Sequence, residues 1–220
     1  MGSALLRHSG MNVEPTVYAV DDDMFTRTLL EEIFQAAEVR VETYASAEEF
    51  LASYSPQNCG CVLLDMIMPG MDGLELQMQL STRGNHTPVI FLSGADQIST
   101  AVKALKAGAV DFIEKPVEPA EVLRSVNKAM ELDQQIRYRR LQDAEIEHRL
   151  TQLTRRETEV LKWIVRGKSN KLVARILDIS TRTVEVHRRN VLSKMQAESV
   201  AELVQMVVNT EIFTESTPNT

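Results

Sequence analysis

In the first half of the chain the apolar residues come in short unbroken runs. These are TVYAV at 16–20, CVLLD at 61–65, PVIFL at 88–92 and AVDFI at 109–113, with VRVETY at 39–44 as a weaker fifth. Runs this short, bounded by turn formers, read as strands buried on both faces of a parallel sheet. Between them, residues 24–36, 46–53, 73–81 and 98–107, and the stretch from 119 onward, carry apolar positions at helical spacing. Ser46 and Glu49 form an S-x-x-E capping box that starts the second of these helices. Alternation of strand and helix implies βαβ crossovers, and five such units predict an α/β flavodoxin-like (βα)5 domain over residues 14–131.

The pattern then changes. From 119 to about 150 there is no Gly and no Pro after Pro119, and Ile136, Leu141, Ile146 and Leu150 are spaced 5, 5 and 4, which fits no clean heptad. Residues 132–149 therefore read as a helical linker, the last helix of the first domain running on. In LTRRETEVLKWIVRG, Thr154 and Glu157 form a second capping box and Gly167 stops the helix. NKLVARILDI is a second short helix, a turn at Ile179-Ser180-Thr181 leads into RTVEVHRRNVLSKM, and SVAELVQMVV makes a fourth. Two helices on a tight turn, the second rich in Arg and Lys, predict a helix-turn-helix in an all-α four-helix domain over 150–210. Residues 1–13 read as an N-terminal extension and 211–220 as a polar tail.

Charge separates the two modules. Residues 1–127 carry 8 Lys+Arg against 18 Asp+Glu, whereas 151–197 carry 11 against 4, so the second module suits a polyanion. The only cysteines, Cys59 and Cys61, offer neither a disulfide framework nor a zinc pattern. No apolar run approaches a membrane span and 1–10 lack a signal-peptide core, so a cytoplasmic protein with no membrane partner is expected.

Chemistry concentrates at strand ends. Asp65 closes the third run and Asp21, Asp22 and Asp23 follow the first, so at least two of them share the carboxyl-end crevice with Asp65. Clustered carboxylates repel unless a cation joins them, and an all-oxygen site of this kind suits Mg²⁺ with phosphate among its ligands. Ser93 and Lys115 end the fourth and fifth strands, adding a hydroxyl and an ammonium. A nucleophilic carboxylate with such donors would stabilise an aspartyl-phosphate. Taken singly, each residue has a plainer reading: a solvated loop for 21–23, a turn for Ser93, a surface charge for Lys115, core packing for Phe112.

The spacings Asp22 to Asp65 (43), Asp65 to Ser93 (28) and Ser93 to Lys115 (22), with DMIMPGMDG and EKP, resemble the receiver domain of two-component response regulators. Residues 150–210, with TVEVHRRNVLSKM, resemble the LuxR-type DNA-binding domain of the FixJ/NarL group. The resemblance implies a phosphorylation-dependent transcriptional regulator in which a cognate sensor histidine kinase phosphorylates Asp65. It makes Asp22, Asp65 and the backbone oxygen of Ile67 Mg²⁺ ligands, with Asp21 acting through water, and places Ser93, Phe112 and Lys115 at switch and phosphoryl-binding positions. It further implies a cis Lys115–Pro116 bond, a homodimer formed on phosphorylation through about 98–114, double-stranded promoter DNA as partner, and RNA polymerase as a candidate one. No enzymatic role is implied beyond Mg²⁺-dependent self-phosphorylation and dephosphorylation.

On the basic helix Val184, Val191, Leu192 and Met195 are expected in the core, with Arg182, Glu185, Val186, Arg189 and Lys194 outward. By resemblance Glu185, Val186 and Arg189 face bases, while Asn170, Lys171, Thr183, Arg188 and Lys194 contact the DNA backbone. Two rival functions stay in view. A phosphotransferase or phosphatase using Asp65 usually needs an acid two residues on, where this chain has Ile67. A non-phosphorylated interaction scaffold would need a vestigial pocket, yet every expected polar group is present.

Overall fold

Five strands, β1 (Thr16–Val20), β2 (Arg40–Tyr44), β3 (Gly60–Asp65), β4 (Val89–Ser93) and β5 (Asp111–Glu114), pair in parallel in the order β2-β1-β3-β4-β5. This computed structural model describes residues 14–55, 58–84, 86–94 and 108–208. The helix expected at 98–107, and with it most of the expected dimer face, lies outside the described residues. The strand order is the doubly wound one that the alternation predicts, with its switch point between β1 and β3, where ligand crevices open.

Side-chain alternation divides the core into two layers. On one face Val17, Ala19, Leu63, Ile90 and Leu92 pack against Leu30 and Phe34 of α1 (Met24–Ala36) and Val122 and Val126 of α4 (Pro119–Thr151). On the other, Tyr18, Val20, Val62, Leu64 and Phe91 meet Phe50 of α2 (Ala47–Ser53) and Leu76 and Leu80 of α3 (Gly73–Thr82). Both faces being covered, the central strands are continuously apolar, each fully buried Leu or Phe adding about 1.5–3 kcal/mol.

The helix starts are specified locally. Ser46 accepts the Glu49 N–H at 3.1 Å, but the Glu49 carboxylate accepts the Ala45 N–H at 2.7 Å, one residue ahead of the cap, so the second arm of that box is displaced. A complete box forms instead at Asp72 and Glu75, opening α3. Its first residue, Gly73, is there for a reason of space: a Cβ would stand 2.3 Å from the Asp65 carbonyl oxygen.

The chain divides into two compact units between Arg137 and Tyr138, inside the stretch expected to be linker. Just before that boundary α4 carries a clamp. Asp133 Oδ2 accepts the Gly60 N–H at 2.9 Å and Arg137 Nε at 2.7 Å, and Arg137 Nη2 also donates to the Asn58 carbonyl. The helix is thereby held to the start of β3 well past residue 131.

In the second unit α5 (Arg155–Val165), α6 (Asn170–Leu177), α7 (Thr181–Met195) and α8 (Val200–Val207) enclose Val160, Leu161, Ile164, Val173, Val184, Val191, Met195 and Leu203. Ile146 and Leu150, from the end of α4, pack partly against this core. The Thr154–Glu157 box is complete, and Gly167 stops α5 at φ +71° with its N–H on the Ile164 carbonyl.

Asp133→Ala leaves the Gly60 N–H and the Arg137 guanidinium without their buried acceptor, and is expected to destabilise the first unit by about 3 kcal/mol. Urea unfolding by far-UV circular dichroism measures this, with the fluorescence of Trp163, the only tryptophan, following the second unit separately. An unchanged first-unit midpoint would show that the clamp contributes no stability.

Candidate phosphoacceptor pocket and nucleic-acid interface

Parallel pairing of β1 with β3 sets Val20 beside Leu64, so the residues that follow, Asp21 and Asp65, emerge side by side. Asp21 is fully buried, Asp65 is 8% exposed and Asp22 is exposed. One carboxylate oxygen from each of the three lies within 4.8 Å of the others. Asp23 is not part of the group, because its carboxylate caps α1 by accepting the N–H groups of Phe25 and Thr26.

β5 delivers the cation. Lys115 Nζ stands 2.8 Å from Asp21 Oδ2 and 2.9 Å from Asp65 Oδ2, a single ammonium shared by two carboxylates. Burial raises the Asp21 pKa above its ordinary value and the neighbouring Asp65 charge adds to this, with the Lys115 hydrogen bond opposing both. For Lys115 burial acts downward, but hydrogen bonds to the two carboxylates outweigh it and raise its pKa, so the ammonium stays charged. Asp65 Oδ1 also accepts the Ile67 N–H at 3.4 Å, which fixes the turn after β3. Three carboxylates around one ammonium leave an excess of negative charge in a partly dry crevice. That donor set, all oxygen and partly buried, fits Mg²⁺.

Ser93 is buried at the end of β4, its hydroxyl donating to the Gly94 carbonyl at 3.2 Å and its own carbonyl accepting the Lys115 N–H at 2.7 Å. Phe112 pairs with Phe91 across β4 and β5 and is half-buried against the α2–α3 side of the sheet. Lys115–Pro116 is cis, as the resemblance implies. Asp21, Asp22, Asp65, Ser93 and Lys115 are thus gathered at the carboxyl ends of four strands. Sequence reading missed Arg27, whose Nη1 donates to the Asp21 carbonyl at 2.6 Å, and Glu48, whose carboxylate accepts the Met71 N–H at 3.2 Å and steadies the loop beyond β3.

On α7, Val184, Val191 and Met195 are buried while Arg182, Glu185, Val186 and Arg189 are exposed. Thr183 completes the helix start, its N–H donating to Ser180 Oγ at 3.0 Å. Arg188 Nη1 donates to Asn170 Oδ1 at 3.0 Å, tying α7 to the first residue of α6. Lys171 is exposed on α6.

Lys194 is half-exposed near the end of α7 and carries a contact that sequence reading missed. Its ammonium lies 2.7 Å from the buried Glu157 carboxylate and 3.1 Å from the Gln152 carbonyl. Burial pushes the Glu157 pKa up, but the Lys194 ammonium and the N–H and hydroxyl of Thr154 outweigh it and hold the group at about 2. Beside it Arg149 Nη1 donates to the Met195 carbonyl at 3.0 Å, satisfying an acceptor at the end of α7.

A receiver-type pocket on a five-stranded parallel sheet, followed by a helix-turn-helix, defines a class of signal-controlled transcriptional regulator. The chain matches the response regulator receiver domain over residues 17–127 and the bacterial regulatory proteins of the luxR family over 151–207, and it belongs to the FixJ/NarL-type two-component response regulators. It is 40% identical over 201 residues to the response regulator protein TodT of Pseudomonas putida, covering 91% of this chain and 88% of that one. It is 40% identical over 194 residues to the transcriptional regulatory protein FixJ of Azorhizobium caulinodans, covering 87% and 91%. Among solved structures, the response regulator StyR superposes with a TM-score of 0.77 at 39% identity, covering 89% of this chain and 99% of StyR. Among the described residues no helix is long and apolar enough to cross a membrane.

Two readouts separate the roles of Lys194. On random-sequence duplex DNA, Lys194→Met is expected to lower the slope of log affinity against log salt by about 1, the loss of one phosphate contact; an unchanged slope would show that the pair with Glu157 takes its whole charge. Because the folded-state pKa of Glu157 lies below its ordinary 4.5, the pair's contribution is complete above that pH and drains away as pH falls toward about 2. Acid unfolding followed by Trp163 fluorescence therefore starts at higher pH in Lys194→Met than in the wild type.

Proposed function

We propose that Asp65 is the phosphoacceptor of this regulator, on the observation that its nearly buried carboxylate is held by Lys115 beside Asp21 and Asp22. A carboxylate oxygen of Asp65 attacks the phosphorus of a phosphohistidine on the cognate sensor kinase. The P–N bond breaks as the O–P bond forms, and the histidine nitrogen takes up a proton. Asp22, Asp65 and the Ile67 backbone oxygen would hold Mg²⁺, with Asp21 acting through water; when bound, the ion supplies positive charge to the phosphoryl oxygens. Lys115, released from sole duty to the carboxylates, steadies the transferred group. The exposed apolar side chains Met24, Phe25 and Ile67, at 62%, 79% and 62% exposure, border the carboxylate turns and suit a protein rather than a solvent-borne donor. The chain is a regulator rather than an enzyme in its own right, with self-phosphorylation and self-dephosphorylation the limit of its chemistry.

In the output step Ser93 moves toward the phosphoryl oxygens and the Phe112 ring turns inward, a local charge event biasing a bistable packing. Phosphorylation then promotes a homodimer that binds promoter DNA in the cytoplasm, with RNA polymerase as a further partner. Glu185, Val186 and Arg189 read bases, and Arg182, Thr183, Arg188, Asn170 and Lys171 position the helix on phosphates. Lys194 joins them, its side chain remaining 36% exposed beside Glu157.

Acetyl phosphate with Mg²⁺ is expected to phosphorylate the wild-type chain to near one phosphate per chain and Asp65→Ala not at all; full incorporation in the mutant would refute the assignment. Phosphorylation should also shift the chain from monomer to dimer in sedimentation at micromolar concentration and tighten binding to a two-half-site duplex, since the second module then binds in effect intramolecularly. A phosphorylated monomer that nevertheless binds far more tightly would place the control in relief of inhibition instead. Arg189→Ala should cost roughly 1–3 kcal/mol on that duplex and relax preference at one base pair.

A further inference from the structure

Arg27 stands near the N-terminus of α1, where the helix dipole works against a cation. Three carboxylates lie close by in sequence or in space, yet among the described residues it forms an ion pair with none of them, and its guanidinium donates instead to a main-chain oxygen. That bond, from Nη1 to the Asp21 carbonyl, is 2.6 Å long and charge-assisted, the strong kind of N–H···O contact. The oxygen belongs to the peptide joining Asp21 to Asp22.

The surroundings show what that peptide controls. On one side of it the Asp21 N–H donates to the Tyr44 carbonyl at 3.1 Å, and on the other the Asp23 N–H donates to Asp21 Oδ1 at 2.9 Å. The Asp23 carboxylate is committed to the α1 cap. Asp22 is exposed, and among the described residues no hydrogen bond or ion pair holds its carboxylate. Its direction is therefore set by the backbone it hangs from, and the contact on that backbone's carbonyl comes from Arg27.

We propose that Arg27 is a positioning residue for the acidic pocket: by fixing the Asp21–Asp22 peptide it keeps the Asp22 carboxylate grouped with those of Asp21 and Asp65. The inference rests on the reading of that pocket as a Mg²⁺ site. Groups that orient metal ligands from behind typically govern affinity by 10- to 100-fold when removed. Positioning and plain electrostatics here have opposite signs. A guanidinium acting only as a nearby positive charge repels Mg²⁺, so its removal would tighten binding, whereas removal of a positioning contact weakens it.

Calorimetric Mg²⁺ titration of the full chain separates the two. Arg27→Met, which has neither charge nor donor, is expected to raise the Mg²⁺ Kd by about 10-fold. Arg27→Gln, equally uncharged but with an N–H donor, should recover part of that loss. In phosphorylation by acetyl phosphate, the Mg²⁺ concentration for half-maximal rate should rise by the same factor while the rate at saturating Mg²⁺ stays within about two-fold. Binding in Arg27→Met as tight as or tighter than wild type overturns the proposal, as does a fall in the saturated rate with Kd unchanged. Should Arg27→Met lose its far-UV circular dichroism, Arg27→Gln decides: weaker binding than wild type supports the proposal, and equal or tighter binding overturns it. A wild-type chain without saturable Mg²⁺ binding, or with binding that Asp22→Asn leaves intact, would instead refute the reading of the pocket itself.

Discussion

One ammonium, that of Lys115, lies within 3 Å of two carboxylates that come from different strands, and much of the first unit exists to allow this. Asp21 and Asp65 emerge together because β1 and β3 pair in register; Lys115 reaches them from β5, two strands from β3 and three from β1. A slip of one residue in any of these strands would turn its side chains to the opposite face and disperse the group. The alternating core on both faces of the sheet is what forbids such a slip, so packing and site chemistry are one specification. Burying like charges this close is unfavourable in itself, and the strain is relieved by Lys115 and by any further cation that enters.

The parts of this arrangement that follow from periodicity were legible in advance. Strand runs, helix spacing, the doubly wound order, and Asp65, Ser93 and Lys115 at strand ends all come from patterns with a fixed repeat. The residues that escaped are those whose role depends on where a long side chain ends. Arg27 looks like an ordinary helix cation until its guanidinium is found on the Asp21 carbonyl. Glu49 satisfied the capping pattern by type, yet its carboxylate settles on Ala45 instead of Ser46, because nothing in the spacing says which of two adjacent N–H groups it will meet.

The same limit appears in the second unit. Helix caps at Thr154, Ser169, Ser180 and Ser199 follow from residue type and position. Helical phase points Lys194 outward, and its four-carbon stem stays partly exposed while the ammonium reaches Glu157. Glu157, a capping-box residue by pattern, is buried and so draws that ammonium in. Two motifs read separately turn out to be one ion pair, which locks the start of α5 to the end of α7 beside the Arg149 contact.

The clamp of Asp133 and Arg137 on Asn58 and Gly60 has a practical bearing on where the polypeptide can be divided. The receiver match stops at 127, a natural place to end an isolated fragment. A fragment ending there would strip β3 of the side chains that satisfy its first N–H, at the opposite end of the strand from Asp65, and would uncover Cys59 and Cys61, both buried thiols. The smallest piece that keeps that strand sealed runs through Arg137.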